Sequence, residues 1–132
     1  MTDLFYPCPC CGYIVFSEPP GSYEICPICF WEDDALQLEF ATTLSGGANH
    51  LTLFQAQLNF LEFYASEKSL LIHVRKPAPT DFLDSDWRPI DTIRDKFESF
   101  TNKQCQRAIL DESLYYWRPT FWRNQGNLLR LK

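Results

Sequence analysis

The chain has 132 residues, of which 45% are hydrophobic, 16% aromatic and 22% charged, and this composition excludes the polar, aromatic-poor class of disordered proteins. The length predicts one domain, with no room for a second of ordinary size. No apolar run reaches the roughly 18 residues of a membrane span, and Met1-Thr2-Asp3 lacks the basic start of a signal peptide. We therefore expect a cytoplasmic protein without membrane contact, whose six cysteines are metal ligands or reactive thiols rather than disulfides.

The net charge of −5 is distributed unevenly along the chain. Residues 1–67 contain nine acids and no Lys or Arg, whereas residues 68–132 contain all twelve bases and eight acids. The two parts therefore carry −9 and +4. This asymmetry favours a positively charged partner for the amino-terminal part, although acids that only keep the fold soluble would produce the same pattern.

Five cysteines lie in two short motifs, Cys8-Pro9-Cys10-Cys11-Gly12 and Cys26-Pro27-Ile28-Cys29-Phe30. Each contains Cys-Pro-x-Cys, a spacing that lets one turn direct two sulfurs at the same ion, while Gly or a similar residue follows where the chain doubles back. The repeated pattern predicts one structural zinc ion bound by Cys8, Cys11, Cys26 and Cys29. Such a site has no open position for water and therefore predicts no catalytic role for the metal.

Two cysteines are left over. Cys10 lies inside the first motif and is expected to be a small buried neighbour of the ligands, although the choice between Cys10 and an adjacent thiol stays open. Cys105 is expected to be an ordinary apolar residue of a helix. A thiol redox site is the alternative interpretation of Cys-x-x-Cys, but two matched pairs without a βαβ pattern favour metal.

The segment between the motifs predicts a β-hairpin. Residues 13–16 are β-branched and aromatic, residues 19–22 have turn chemistry, and residues 23–25 return to the second motif. A hairpin of this kind would bring the two motifs together in the manner of a zinc ribbon. After the second motif come three consecutive acids, so we expect a partner-binding acidic edge or, equally, a solvated loop. Its residues are Phe30, Trp31, Glu32, Asp33 and Asp34.

Most of the remaining elements are predicted to be helices. Thr52 and Gln55 form a capping box for a helix that ends near Tyr64 and is apolar around most of its circumference, so it should be largely buried. Residues 69–74 predict either a strand or a short helical turn. Residues 77–89 predict a loop, and the apolar spacing after Pro89 predicts a helix that ends near Arg107.

The end of the chain combines aromatic residues with bases and has no acid after Glu112. One interpretation is a hairpin that packs Tyr115, Trp117 and Trp122 onto the core, and this is the one we favour. The other is a surface on which single-stranded nucleic acid stacks, with phosphate contacts from nearby bases. Those bases are Arg118, Arg123, Arg130 and Lys132.

Together these elements predict an α+β protein. In it, an amino-terminal zinc-ribbon hairpin packs on a small helical region, followed by a carboxy-terminal helix and an aromatic hairpin or tail. Residues 1–90 form the zinc-ribbon domain with its helix, and residues 91–132 form an extension packed on the same domain.

The motifs also carry a family resemblance. Residues 6–13 and 20–34, the sequence Gly46-Gly47-Ala48-Asn49, and then His73-Val74-Arg75-Lys76-Pro77 and Trp87-Arg88-Pro89 occur in the expected order. Over about residues 5–90 the chain resembles the bacterial cysteine-rich family named for its Cys-Pro-Cys-Cys motif, except that Tyr64 stands where the family prefers Gly. The resemblance implies a compact zinc-binding domain of mostly undetermined activity, associated in some members with bacterial toxins, and it supplies no catalytic residue.

These observations lead to a binding function. The leading hypothesis is an immunity protein that binds and occludes a bacterial toxin with a basic surface. The alternative is a nucleic-acid-binding or regulatory zinc ribbon that uses the basic aromatic tail. No catalytic motif is recognisable, and His50 and His73 belong to no ligand or base pattern, so we expect no enzyme activity. The sequence does not determine the oligomeric state.

Overall fold

The computed structural model describes residues 4–100 and 111–123, which form a small α+β fold. Strand β1 (Tyr6–Pro7) pairs antiparallel with β2 (Ile14–Phe16). Helices α1 (Ala35–Glu39) and α2 (Leu53–Phe63) follow, with short 3₁₀ helices at Lys68–His73 and Glu112–Leu114. Within the described ranges, no helix has the length and apolar character needed to cross a membrane.

The strand pairing differs from the predicted hairpin. Strand β2 pairs with the residues before the first cysteine motif, and residues 23–25 pair instead with residues 31–33, through a bridge between Ile25 and Glu32. Each motif therefore lies at the tip of its own small hairpin. The reason is local: Gly12 and Phe30, which follow the two motifs, adopt left-handed backbone conformations with φ of 83° and 68°, so the chain reverses within each motif.

Helix α2 begins as predicted, because the Thr52 hydroxyl accepts a hydrogen bond from the Gln55 amide at 3.1 Å. It ends at Tyr64, which caps the helix in the left-handed conformation even though it is not glycine. The prediction that α2 is largely buried is wrong. Only one face of the helix contacts the core, and Leu58 and Leu61 are 45% and 55% exposed. For residues 69–74 the helical alternative is confirmed, as part of the 3₁₀ helix.

The helix predicted after Pro89 is not present in residues 90–100, and its remainder, with Cys105, lies outside the described residues. Residues 91–95 form a single turn instead. The Asp91 carboxylate accepts from the amides of Ile93 and Arg94, and the Asp95 amide donates to the Asp91 carbonyl at 2.7 Å. The turn is not continued as a helix in residues 96–100, and Ile93 is 85% exposed, so it supplies no apolar contact to hold one.

One buried cluster joins the two halves of the chain. It contains the five described cysteines, apolar residues of α1 and α2, Ile90 and residues of the aromatic segment. Tyr115, Tyr116 and Trp117 are buried and Trp122 is partly buried, in agreement with the interpretation that they pack on the core. Residues 111–123 contain a 3₁₀ helix, turns and two helical residues, 122–123, and no strand, whereas the turn and return of the predicted hairpin lie outside the described residues.

Candidate metal centre

Four cysteines meet in the buried cluster. The sulfurs of Cys8, Cys11, Cys26 and Cys29 all lie within 4.8 Å of one another. The Cys8–Cys29 sulfurs are 3.6 Å apart and the Cys11–Cys26 sulfurs 3.7 Å. A tetrahedral ion with metal–sulfur bonds of about 2.3 Å requires sulfurs about 3.8 Å apart, so the spacing and the four soft donors fit such an ion. These cysteines are positioned to hold one metal.

The two motifs have the same backbone geometry, which explains why they converge. In each motif, the amide of the first cysteine donates a hydrogen bond to the carbonyl of the residue five positions later. The acceptor is Tyr13 in the first motif, at 2.8 Å, and Trp31 in the second, at 2.9 Å. The residue four positions later, Gly12 or Phe30, donates back to that cysteine's carbonyl. In the second motif the Cys26 sulfur also accepts from the amides of Ile28 and Cys29 at 3.4 Å.

The electrostatics of the site follow from its burial. Desolvation raises the pKa of the Cys8, Cys11 and Cys29 thiols above their ordinary value. Desolvation acts in the same direction on Cys26, but hydrogen bonds from the other three thiols and the Cys29 amide lower the pKa of Cys26 overall. Since a metal binds thiolates, loading this site releases protons.

Cys10 is also fully buried, but its sulfur is not part of the four-sulfur group. The geometry thus agrees with the repeated Cys-Pro-x-Cys spacing, which leaves Cys10 as a neighbour of the ligands.

Donors from distant parts of the chain bind the carbonyls of the two motifs. The Pro9 carbonyl accepts from Gln57 Nε2 at 2.8 Å and from Trp87 Nε1 at 3.0 Å. The Pro7 carbonyl accepts from the Tyr115 hydroxyl at 3.1 Å, and the Cys29 carbonyl accepts from the Ser66 amide at 2.8 Å. Each buried acceptor is therefore satisfied only when the rest of the domain is in place.

Among these donors, Gln57 forms hydrogen bonds with the largest number of separate segments. Its amide nitrogen also donates to the Tyr116 hydroxyl at 3.0 Å, and its oxygen accepts from the Ile90 amide at 2.8 Å. No role for Gln57 was predicted from the sequence. A polar residue on the buried face of an apolar helix was the available signal, because a buried amide needs partners.

With this geometry in place, comparison with known proteins identifies the family. A model of the cysteine-rich CPCC family matches residues 6–81, which is more than half of the chain. The chain belongs to the cysteine-rich CPCC family. The match ends before Trp87-Arg88-Pro89, which the resemblance had included. Neither the curated proteins nor the solved structures contain a match to it.

In this CPCC protein the acids after the second motif do not form the exposed edge that the sequence predicts. Trp31, Asp33 and Asp34 are buried, and only Phe30 and Glu32 are half-buried. The physical reason is that the carboxylates bind backbone donors: Asp34 caps α1 through the amides of Leu36 and Gln37. Three of the five proposed partner-binding residues are therefore internal, and a partner contact by the other two remains a prediction.

The same acids anchor the loop that contains the Gly-Gly-Ala-Asn sequence. Asp34 accepts from the Ala48 amide at 2.9 Å, and a side chain at Gly47 would place its Cβ 2.7 Å from that carboxylate. Asn49 bonds both backbone groups of Glu32 at 2.8 Å and also donates to the Gln37 side chain. This network fixes Glu32 beside the second motif.

Asp33 should make stability depend on pH. Its Oδ2 accepts from the Ser22 amide and hydroxyl, whereas Oδ1 is buried with no hydrogen-bond partner among the described residues. Burial raises the pKa of Asp33 from 3.8 to about 6. Because the folded state holds this proton more tightly, the stabilisation is complete below about pH 4 and is lost as the pH rises through about 6.

We therefore expect the Asp33→Asn variant to gain about 2 kcal/mol of stability over the wild type as the pH rises from 4 to 6, and about 3 kcal/mol over the whole titration. Denaturant unfolding of both proteins at constant excess metal measures this difference, in which the shared metal contribution cancels. The exposed Glu18 provides the matched control, since Glu18→Gln should show no such trend. If the difference in the free energy of unfolding between Asp33→Asn and the wild type does not change with pH, ionisation of Asp33 does not destabilise the folded state.

A small cavity lies beside the second motif. Its volume is about 230 Å³, and Phe30, Trp31 and Leu51 contribute to its apolar walls. Glu32 and Glu67 are its two acids, and no Lys or Arg lines it. Hydrogen bonds from Ser69 and His50 lower the pKa of Glu67, so this carboxylate is ionised at neutral pH.

Proposed function

We propose that the metal is one structural zinc ion and that this CPCC protein is a protein-binding module rather than an enzyme. Four cysteine sulfurs would complete the tetrahedral coordination that zinc prefers. A closed shell of this kind supplies no water for hydrolysis, so the role of the ion is to hold two short hairpins that share a small core.

The observation that carries the binding role is the acidic cavity beside the second motif. Two carboxylates line a space with apolar walls, and no Lys or Arg lines it, although His50 is a lining residue bonded to Glu67. A lysine or arginine side chain satisfies both features, because its apolar stem packs against the walls while its charge reaches the carboxylates. Phe30 adds an aromatic wall, and its ring is held in place by stacking on His73, with ring centroids 5.0 Å apart.

The partner class we propose is a bacterial toxin with a basic surface, which the protein would bind and occlude as an immunity protein. The charge of −9 on residues 1–67 supports this, because complementary charge accelerates encounter between proteins. Stacking of nucleic-acid bases on Tyr115, Tyr116 and Trp117 is less well supported, because these rings are buried and Arg118 is paired with Asp84. Arg130 and Lys132 lie outside the described residues.

The test is a pull-down from the host with the tagged wild type and with the Glu32→Gln/Glu67→Gln variant. We expect the wild type to retain a single stoichiometric protein at moderate salt and the variant to bind it about a hundredfold more weakly or worse, since two lost charged contacts together cost about 3–6 kcal/mol. Toxicity of that protein when it is expressed alone would support the immunity role.

Glu62→Gln is the matched control, because Glu62 is an exposed acid of α2 that does not line the cavity. It should bind the partner as the wild type does, and all three proteins should contain the same amount of zinc. Equal loss in both variants would mean that general charge rather than the cavity determines binding. Recovery of no protein by the wild type would contradict the proposed function itself.

A further inference from the structure

A second and larger cavity, with the opposite charge, lies between residues 88–96 and the aromatic segment. Its volume is about 410 Å³, and Tyr116 and Trp117 form part of its wall. Five bases line it against a single acid. The bases are Arg88, Arg94, Lys96, Arg118 and Arg123, and the acid is Asp95.

Three of the five bases already have counter-charges. Arg88 forms a two-pronged ion pair with Asp95, with both distances 2.7 Å. Arg118 pairs with Asp84 at 2.6 Å, and Arg123 forms a longer ion pair with Glu98 at 3.8 Å. The positive excess is therefore on Arg94 and Lys96.

Arg94, Lys96 and Arg123 each have at least one hydrogen-bond donor without an acceptor in the described part of the chain. Arg94 and Lys96 are exposed, and no hydrogen bond or ion pair joins their side chains to another residue in the described part of the chain. Nη1 of Arg123 is buried without a hydrogen-bond partner there, and the nearby Glu98 carboxylate lies 3.8 Å away, too far for a hydrogen bond. A buried guanidinium donor without an acceptor is unusual, and it favours the binding of an anionic ligand that would accept its hydrogen bond.

The sequence on either side of the aromatic segment is basic. Residues 101–110 and 124–132, which lie outside the described residues, contain four bases and no acid.

We propose that this cavity binds the phosphate group of a phosphorylated molecule of about nucleotide size. Arginine forks match the geometry of phosphate oxygens, and a dianionic phosphate would be stabilised by the two bases without an ion pair, Arg94 and Lys96, and by the unsatisfied donor of Arg123. A volume of about 410 Å³ exceeds what phosphate alone needs and lies in the range of small-molecule sites, so we expect the ligand to contain an organic group beside the phosphate. This site is separate from the acidic cavity and does not depend on the protein-binding role.

The proposal is tested by calorimetric titration of the zinc-loaded protein with adenosine 5′-monophosphate, adenosine and inorganic phosphate. We expect saturable 1:1 binding of the nucleotide that weakens with added salt, weaker binding of inorganic phosphate, and none of adenosine. Equal binding of adenosine, or no binding of any phosphate compound at low salt, would overturn the site.

The variant Arg94→Gln/Lys96→Gln should bind the nucleotide about tenfold more weakly. Both residues are exposed and unpaired, so the fold should persist, and unchanged circular dichroism and zinc content verify this. Lys76→Gln is the matched control, because Lys76 is an exposed base outside this cavity, and it should bind as the wild type does. An equal loss in the control would contradict a localised site.

A single-stranded oligonucleotide without terminal phosphate distinguishes the two sources of the group. If the free nucleotide binds more tightly, the natural guest is a small phosphate ester. If the oligonucleotide binds more tightly and the double variant weakens it, the same cavity takes a backbone phosphate of a nucleic acid. Either result supports the proposed phosphate site. If the double variant binds the oligonucleotide as tightly as the wild type does, the cavity is not the site that binds the oligonucleotide.

Discussion

Replacement of Cys26 by serine is expected to abolish stoichiometric metal binding and to lower the free energy of unfolding by about 5 kcal/mol or more. Its sulfur is one of four within 4.8 Å, and a serine hydroxyl is a poor substitute for a thiolate. The loss is large because the metal site lies inside the main buried cluster, next to Trp31 and Leu38. Without the ion, three thiols and a hydroxyl would remain buried with no strong partner.

Metal content by mass spectrometry and denaturant unfolding with and without a chelator measure this effect. Cys10→Ser is the matched control, because Cys10 is equally buried but stands outside the four-sulfur group. It should keep one metal per chain and lose only the packing of one thiol. If Cys10→Ser instead loses the metal and Cys26→Ser keeps it, the assignment of ligands is wrong.

Replacement of Gly12 by alanine is expected to cost about 3 kcal/mol of stability and to weaken metal binding with it. Gly12 follows the first motif at a φ of 83°, where a side chain is strained. In addition, the new Cβ would lie 2.5 Å from the Trp87 indole, which packs on this glycine and donates to the Pro9 carbonyl. The substitution therefore strains the metal turn and displaces its support together.

Gly46→Ala separates these two causes. Gly46 has a similar φ of 74°, but no atom lies within 4 Å of the position its Cβ would take. This variant should lose only the backbone contribution, about 1 kcal/mol, and should keep its metal. Thermal unfolding of both variants gives the comparison. Equal losses would show that Trp87 moves aside freely and that the close contact has no energetic weight.

The supporting bonds explain why a site near the amino terminus depends on residues far along the chain. Trp87, Gln57 and Tyr115 each donate to a carbonyl of the first motif or of the proline before it. Metal binding and folding of the described domain should therefore be one cooperative event, because neither the turn nor its donors are satisfied alone.

Local features could be predicted from the sequence. The clustering of Cys8, Cys11, Cys26 and Cys29 follows from the spacing of Cys-Pro-x-Cys, since two residues between thiols determine where both sulfurs point. Helix α2 and its Thr52 cap follow from periodicity and capping chemistry, which also act over a few residues. The family match over residues 6–81 rests on the same local patterns.

The pairing of β2 with β1 rather than with residues 23–25 was not predicted, although its cause is local, since each left-handed residue closes a hairpin of its own. Tertiary structure decided the rest. It turned Asp33 and Asp34 from expected surface charges into internal acceptors, because the amides of Ser22, Ala48 and α1 donate to their carboxylates. It also replaced a periodic helix after Pro89 with a loop tied by Asp91 and Asp95. Spacing determines local geometry, but the partner of a polar group depends on which distant residues fold against it.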